Sequence, residues 1–181
     1  MTPLLKRALD QAATWHRDQK RKYPDVDVPY VSHAAGVALV LARHGFGDEV
    51  IAAGALHDVI EDCNVTYQEL ADAFGTRVAD LVRAVSEPDK SLPWEERKRR
   101  YLERFAQESW EAQAVAIADK IDNFASIVVC AHEHGDPWSM FKRGREAQIE
   151  RFEALARVVA RLGPHAICRE FDDGLAAVRA S

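Results

Sequence analysis

Four ionisable side chains crowd into six residues at His57-Asp58-Val59-Ile60-Glu61-Asp62, directly after the uncharged stretch Ile51-Ala52-Ala53-Gly54-Ala55-Leu56. On a continuous helix His57 stands above Glu61 and Asp58 above Asp62, so one imidazole and three carboxylates share adjacent faces. Carboxylates at that spacing repel unless a cation neutralises them, which a divalent metal would do; an exposed acidic helix end is the other reading. Asp119 poses a related question, because it interrupts the apolar run Ala114 to Ala118 ahead of Ile121. A buried acid without a partner costs several kcal/mol, so Asp119 needs a metal, Lys120, or an arginine from another helix. His33, just after Pro29-Tyr30-Val31-Ser32, reads by itself as a helix-start or core residue as readily as a ligand.

The elements that must position these groups are helical: apolar residues recur at helical spacing, and no convincing run alternates in polarity as a strand would. Thr2-Pro3 caps a first helix that carries Leu4, Leu5, Ala8, Ala12 and Trp15 on one face and is expected to end near Lys20. Pro24 and Pro29 make the next segment a loop, leading into a helix over 31–43 that Gly45 and Gly47 close. A helix from Asp48 to about Ile60 follows, and then the capping box Thr66-Tyr67-Gln68-Glu69 opens another, which Gly75 stops. Further helices are expected over 76–85, 94–106 and 110–131, with a loop at Pro88, Leu92 and Pro93 and a cap at Ser109. Gly135-Asp136-Pro137 should begin one long helix to about Arg161, and Gly163-Pro164 a last one that buries Phe171, Leu175 and Val178.

With 181 residues, 48% hydrophobic and 29% charged, the chain has enough apolar material for an ordinary core, and disorder, collagen-like repeats and a coiled-coil rod are excluded. A formal net charge of −5 disfavours general affinity for nucleic acid or anionic membranes, so any cationic patch must be local. No run approaches the ~18 apolar residues of a membrane span, and Met1 to Gln11 lacks a signal-peptide core, so a cytoplasmic location is expected. Cys63, Cys130 and Cys168 lack paired metal spacing and are expected to be reduced thiols.

Taken together, His33, His57-Asp58 and Asp119 form the pattern H…HD…D, and the sequence resembles the HD-domain metal-dependent phosphohydrolases. The runs His16-Arg17-Asp18-Gln19-Lys20-Arg21-Lys22, Pro29 to His33, Ala55 to Asp62 and Ala118-Asp119-Lys120-Ile121-Asp122-Asn123 are similar to the hydrolase half of Rel/Spo homologues. Phe74-Gly75 and Trp138-Ser139 also fit, so the resemblance covers most of 8–152. It implies an all-α, single HD-domain bundle of about eight to ten helices over 1–181, with a metal-site core at about 8–152 and C-terminal helices beyond. The length leaves no room for a synthetase domain, as in the stand-alone small alarmone hydrolases.

The activity implied is hydrolysis of the 3′-pyrophosphate of guanosine 3′,5′-bis(diphosphate), ppGpp, and its pentaphosphate relative. Mn²⁺ would be held by His33, His57, Asp58 and Asp119; Fe²⁺ and Zn²⁺ also suit two imidazoles and two carboxylates. Glu61 and Asp62 would take the proton from the attacking water and orient it. So anionic a substrate needs cations: the resemblance puts Arg21 on the guanine with Lys22 nearby, and Lys142 and Arg145 on phosphate. Asn123, four residues after Asp119, shares its helical face and is expected at the sugar or base. The run Arg97-Lys98-Arg99-Arg100 is expected to be a solvated face.

Where the family often has an aromatic or histidine, and then an arginine, this chain has Asp122 and Ala125; an acid near the nucleotide and a missing cation are expected to weaken ppGpp binding or redirect it. A relative acting on another phosphorylated nucleotide, such as the 2′-phosphate of NADPH, and a non-catalytic nucleotide sensor are the alternatives. The intact acids and histidines speak against the sensor. The expected partner is a small nucleotide, with no nucleic acid and no membrane, and the oligomeric state is open.

Overall fold

The computed structural model describes residues 1–87 and 91–181; Pro88, which the sequence places in a loop, lies outside them. Ten α-helices and one 3₁₀ helix make up the regular structure among the described residues, with a single isolated bridge between Lys20 and Pro29. The all-α expectation holds. The helices are α1 (Pro3–Trp15), α2 (Val31–Arg43), α3 (Asp48–Leu56), α4 (Val59–Asp62), α5 (Tyr67–Phe74), α6 (Thr76–Val85), α7 (Trp94–Phe105), α8 (Trp110–Glu133), α9 (Gly144–Val159) and α10 (Ala166–Ala180).

Helix starts follow the side-chain chemistry. The Thr2 hydroxyl accepts from the Leu5 amide, Ser109 accepts from Ala112, and Thr66 with Glu69 forms the reciprocal capping box. At Gly75 the chain takes φ +90°, a conformation costly for any residue with a Cβ, and α5 ends there. α8 is the axis. Ala112 through Ala118 are all buried, and the helix packs on α10, α2, α6 and α3, while α3 also packs on α1. Among the described residues no helix is long and apolar enough to cross a membrane. All three cysteines are free.

Three boundaries differ from the sequence expectation. α1 stops at Trp15 rather than near Lys20: beyond His16 the chain extends so that the Arg21 amide donates to Val28 and the Tyr30 amide to Gln19. The helix expected over 48–60 breaks after Leu56. The His57 imidazole donates to the Gly54 carbonyl, the acceptor a continuing helix would offer to the Asp58 amide. The long helix expected from Pro137 is instead a 3₁₀ turn, Pro137–Met140, followed by extended Phe141, and α9 begins only at Gly144, φ +71°.

Candidate metal centre and flanking cavities

Four ligand-type atoms converge where α2, α8 and the α3–α4 break meet. His33 Nε2 and His57 Nε2 lie 3.3 Å apart. Asp58 Oδ2 is 3.0 Å from His57 Nε2 and 3.8 Å from His33 Nε2, while Asp119 Oδ1 is 3.3 Å and 3.8 Å from His33 and His57 respectively. Neighbouring donors that share one ion at ~2.1 Å stand about 3.0–3.4 Å apart; the ligand atoms of His33, His57 and Asp58 all lie within 4.8 Å of one another, a grouping suited to a divalent cation, and Asp119 Oδ1 lies against both imidazoles beside them. The break after Leu56 is what brings the adjacent residues His57 and Asp58 to the same point.

Both rings are oriented for this role. His57 Nδ1 lies 2.8 Å from the Gly54 carbonyl, which can only accept, so the neutral ring keeps its hydrogen on Nδ1 and turns the Nε2 lone pair to the cluster. His33 Nδ1 lies 2.6 Å from Asp122 Oδ2, with the same consequence. The Tyr30 hydroxyl donates to Asp58, and Asn123 and Lys120 donate to Asp119. Thus Asp119 has the Lys120 partner its burial asked for and also lies against both imidazoles of the cluster.

The electrostatics call for a cation. Burial opposes charge on His57, but Asp58, Asp119 and the Gly54 carbonyl outweigh it and raise the imidazole to about 9. Asp58 and Asp119 are both held below the usual carboxylate range: burial works against them, and His57 for Asp58 and Lys120 for Asp119 are the leading opposing charges. The Tyr30 phenol is pushed up by burial and by Asp58. Divalent-metal binding is the chemistry this donor set supports.

Two cavities flank the cluster. The first, about 220 Å³, is lined by Gln19, Arg21, Lys22, Tyr30, Asp62 and Asn123, among others. Arg21 donates to Asn123 Oδ1 at 3.1 Å and to Ser126 Oγ at 2.9 Å, and its guanidinium lies 5.9 Å from the centre of the Tyr30 ring. Gln19 donates to Asp62 Oδ2 at 2.9 Å. The second cavity, about 130 Å³, holds Glu61, Glu87, Lys98, Tyr101, Lys120 and Arg151 beside His57, Asp58 and Asp119. Glu61 Oε1 accepts from the Glu87 amide at 2.6 Å.

Of the residues singled out in the sequence, His33, His57 and Asp58 form one ligand-type group with Asp119 against both imidazoles, and Arg21, Lys22 and Asn123 gather in the first cavity. Glu61 and Asp62, expected as a pair, line different cavities. Lys142 is exposed and Arg145 donates to the Arg179 carbonyl; neither is among the lining residues of the two cavities. The expectation of a solvated Arg97-to-Arg100 run is wrong for its first half. Arg97 and Lys98 are 21% and 17% exposed and hold Glu87, whereas Arg99 and Arg100 face solvent and pair with Glu96. Asp122 also departs from expectation, since its carboxylate is bonded to His33.

Sequence reasoning missed Lys98, Lys120 and Arg151 as a cationic wall. The signal was periodicity: Lys98 shares a helical face with Tyr101, Leu102 and Phe105, and Arg151 with buried Gln148 and Leu155, so neither belongs to a solvent-facing stripe.

Comparison with known proteins gives concordant results. Residues 8–135 match the HD domain family. The guanosine-3′,5′-bis(diphosphate) 3′-pyrophosphohydrolase MESH1 of Danio rerio is 40% identical over 134 residues, 73% of each chain. The Homo sapiens protein of the same name is 39% identical over 155 residues, 84% of this chain and 80% of that one. A solved structure described as a metazoan orthologue of SpoT that hydrolyses ppGpp superposes with a TM-score of 0.80 at 31% identity, over 97% of this chain and 96% of that one.

Proposed function

This chain belongs to the HD-domain family, and on that premise we propose that it hydrolyses the 3′-pyrophosphate of ppGpp and its pentaphosphate relative to GDP or GTP and pyrophosphate, with Mn²⁺ as its metal. The observation that carries the reading is the convergence of His33, His57, Asp58 and Asp119 between a cavity suited to a nucleoside and a cavity walled by cations. The names of the relatives supply the substrate.

A divalent cation at these four donors supplies Lewis acidity toward water and toward the phosphoryl oxygen. The chain's own residues supply position and proton transfer. Arg21, with Tyr30 beneath it and Lys22 beside it, receives the guanine in the first cavity; Asn123 links Arg21 to Asp119 and so ties base recognition to the reacting centre. Lys142, next in the chain to Phe141 of the cavity lining, is the cation for the 5′-diphosphate.

With the ribose in the first cavity, in-line displacement at phosphorus requires water to approach from the second, where Glu61 lies. Water forms the new O–P bond, and Glu61 accepts its proton, held in place by the Glu87 amide. The P–O bond to the ribose breaks, and the 3′-oxygen leaves with the electron pair and takes up a proton from solvent water on the side where Asp62 and Gln19 lie. Lys98, Lys120 and Arg151 then face the departing pyrophosphate.

The direct test incubates the protein with ppGpp, and separately with NADPH, in Mn²⁺ or in EDTA, and resolves the products by anion exchange. The expected result is GDP and pyrophosphate from ppGpp, in Mn²⁺ alone. Intact ppGpp in the presence of bound Mn²⁺ would overturn the substrate, and phosphate released from NADPH instead would assign the site to that nucleotide.

A further inference from the structure

Asp122 is the one acid of α8 that aims at a ligand histidine from behind. Its Oδ2 is 2.6 Å from His33 Nδ1, and the same carboxylate oxygen is 3.8 Å from the Arg21 guanidinium. The His33 side chain is 1% exposed and the Asp122 side chain 19%, so water does not dilute their contact. Its other oxygen rests on the backbone of α2 at Gly36, where a Cβ would lie 1.9 Å from Asp122 Oδ1 and 2.8 Å from its Cγ. Gly36 therefore opens the space that Asp122 fills.

We infer that Asp122 is a positioning residue for the metal centre: with Gly36 making room for it, it fixes His33 with Nε2 toward the cluster, and through Arg21 it couples that ring to the nucleoside cavity. The inference rests on the metal reading above. A carboxylate behind a ligating imidazole sets its tautomer and raises its basicity, and loss of such a partner typically costs 10–100-fold in metal affinity. A purely structural role, in which Asp122 serves only to hold Arg21, would leave metal affinity alone.

Gly36→Ala displaces the Asp122 carboxylate from a different helix, and measuring metal affinity beside KM separates the two roles. It drives the Asp122 carboxylate off its place over α2 and away from His33, while an alanine within α2 favours the helix itself. The experiment titrates Mn²⁺ into the 181-residue chain and reads free Mn²⁺ by electron paramagnetic resonance, alongside thermal melting and the KM for ppGpp. Asp122→Ala and Gly36→Ala should each weaken Mn²⁺ binding by about 10–100-fold, with Gly36→Ala melting no lower than wild type, and Asp122→Asn, whose carbonyl still accepts from Nδ1–H, should recover most of the loss. Unchanged Mn²⁺ affinity in both Asp122→Ala and Gly36→Ala, with only KM altered, overturns the inference. A wild-type chain that binds no Mn²⁺ overturns the metal reading itself and the inference with it.

Discussion

Glu61 and Arg21 represent two kinds of contribution that kinetics can separate. Glu61 is adjacent to the cluster without being one of its four converging donors, so Glu61→Gln should keep Mn²⁺ affinity while kcat falls by about 10²–10⁴-fold. By contrast, His57→Ala and Asp119→Ala should lose metal and turnover together, and full activity in Asp119→Ala would refute the ligand assignment. Arg21 touches Asn123 and Ser126 but none of the reacting positions, so Arg21→Ala should raise KM with kcat nearly unchanged in steady-state assays. The residues legible in the sequence were those whose chemistry clashed with their surroundings: an acid after five apolar residues, and four ionisable groups after six uncharged ones. Asp122 sent no such signal of its function. Its partner His33 is on another helix, and an acid beside Asn123 reads from sequence as a group facing the nucleotide.

At the scale of elements, α8 carries Asp119, Asp122 and Asn123 on one side and the main aromatic contact of the core on another. Phe124, 1% exposed, meets Phe152 of α9 at 4.9 Å and Phe171 of α10 at 5.1 Å between ring centres, both edge to face. Phe124→Ala should lower unfolding free energy by about 3–5 kcal/mol in urea titrations, because α9 and α10 close poorly over the vacated space. Helix existence was readable from caps and periodicity, since the Thr66–Glu69 box and the Ser109 cap are interactions between residues three apart. Helix ends at the site were not readable. The break after Leu56 and the early end of α1 are set by hydrogen bonds to side chains and strands of chain whose positions depend on the finished fold.

For the whole molecule, the cationic wall leaves a pH signature. Burial and the neighbouring Arg151 charge outweigh Glu87 and bring Lys98 down to about 8. An unfolded lysine keeps its proton to roughly pH 10.4, so between these values the unfolded chain binds a proton that the folded chain has released. The contribution of Lys98 to stability therefore rises with pH across that window and is at its lowest, and constant, below about pH 8. The melting temperature of wild type relative to Lys98→Met should accordingly increase from pH 7.5 to 10; a flat or falling difference would contradict the environment described for Lys98. The same burial that lowers this lysine keeps its charge sensitive to an anion entering the second cavity.

The sequence by itself determined the helical class and most helix starts, and it marked His57, Asp58 and Asp119 as groups needing a partner, because caps, 3.6-residue periodicity and acids in apolar runs are local statements about solvation; His33 joined them only through the resemblance. Only the tertiary structure decided that Glu61 and Asp62 face different cavities, that Lys98 and Arg151 turn inward, and that Asp122 lies behind His33 over Gly36. Those facts depend on where one helix crosses another. Crossings are settled by packing of the whole apolar surface, and they are not written in the spacing of any single segment.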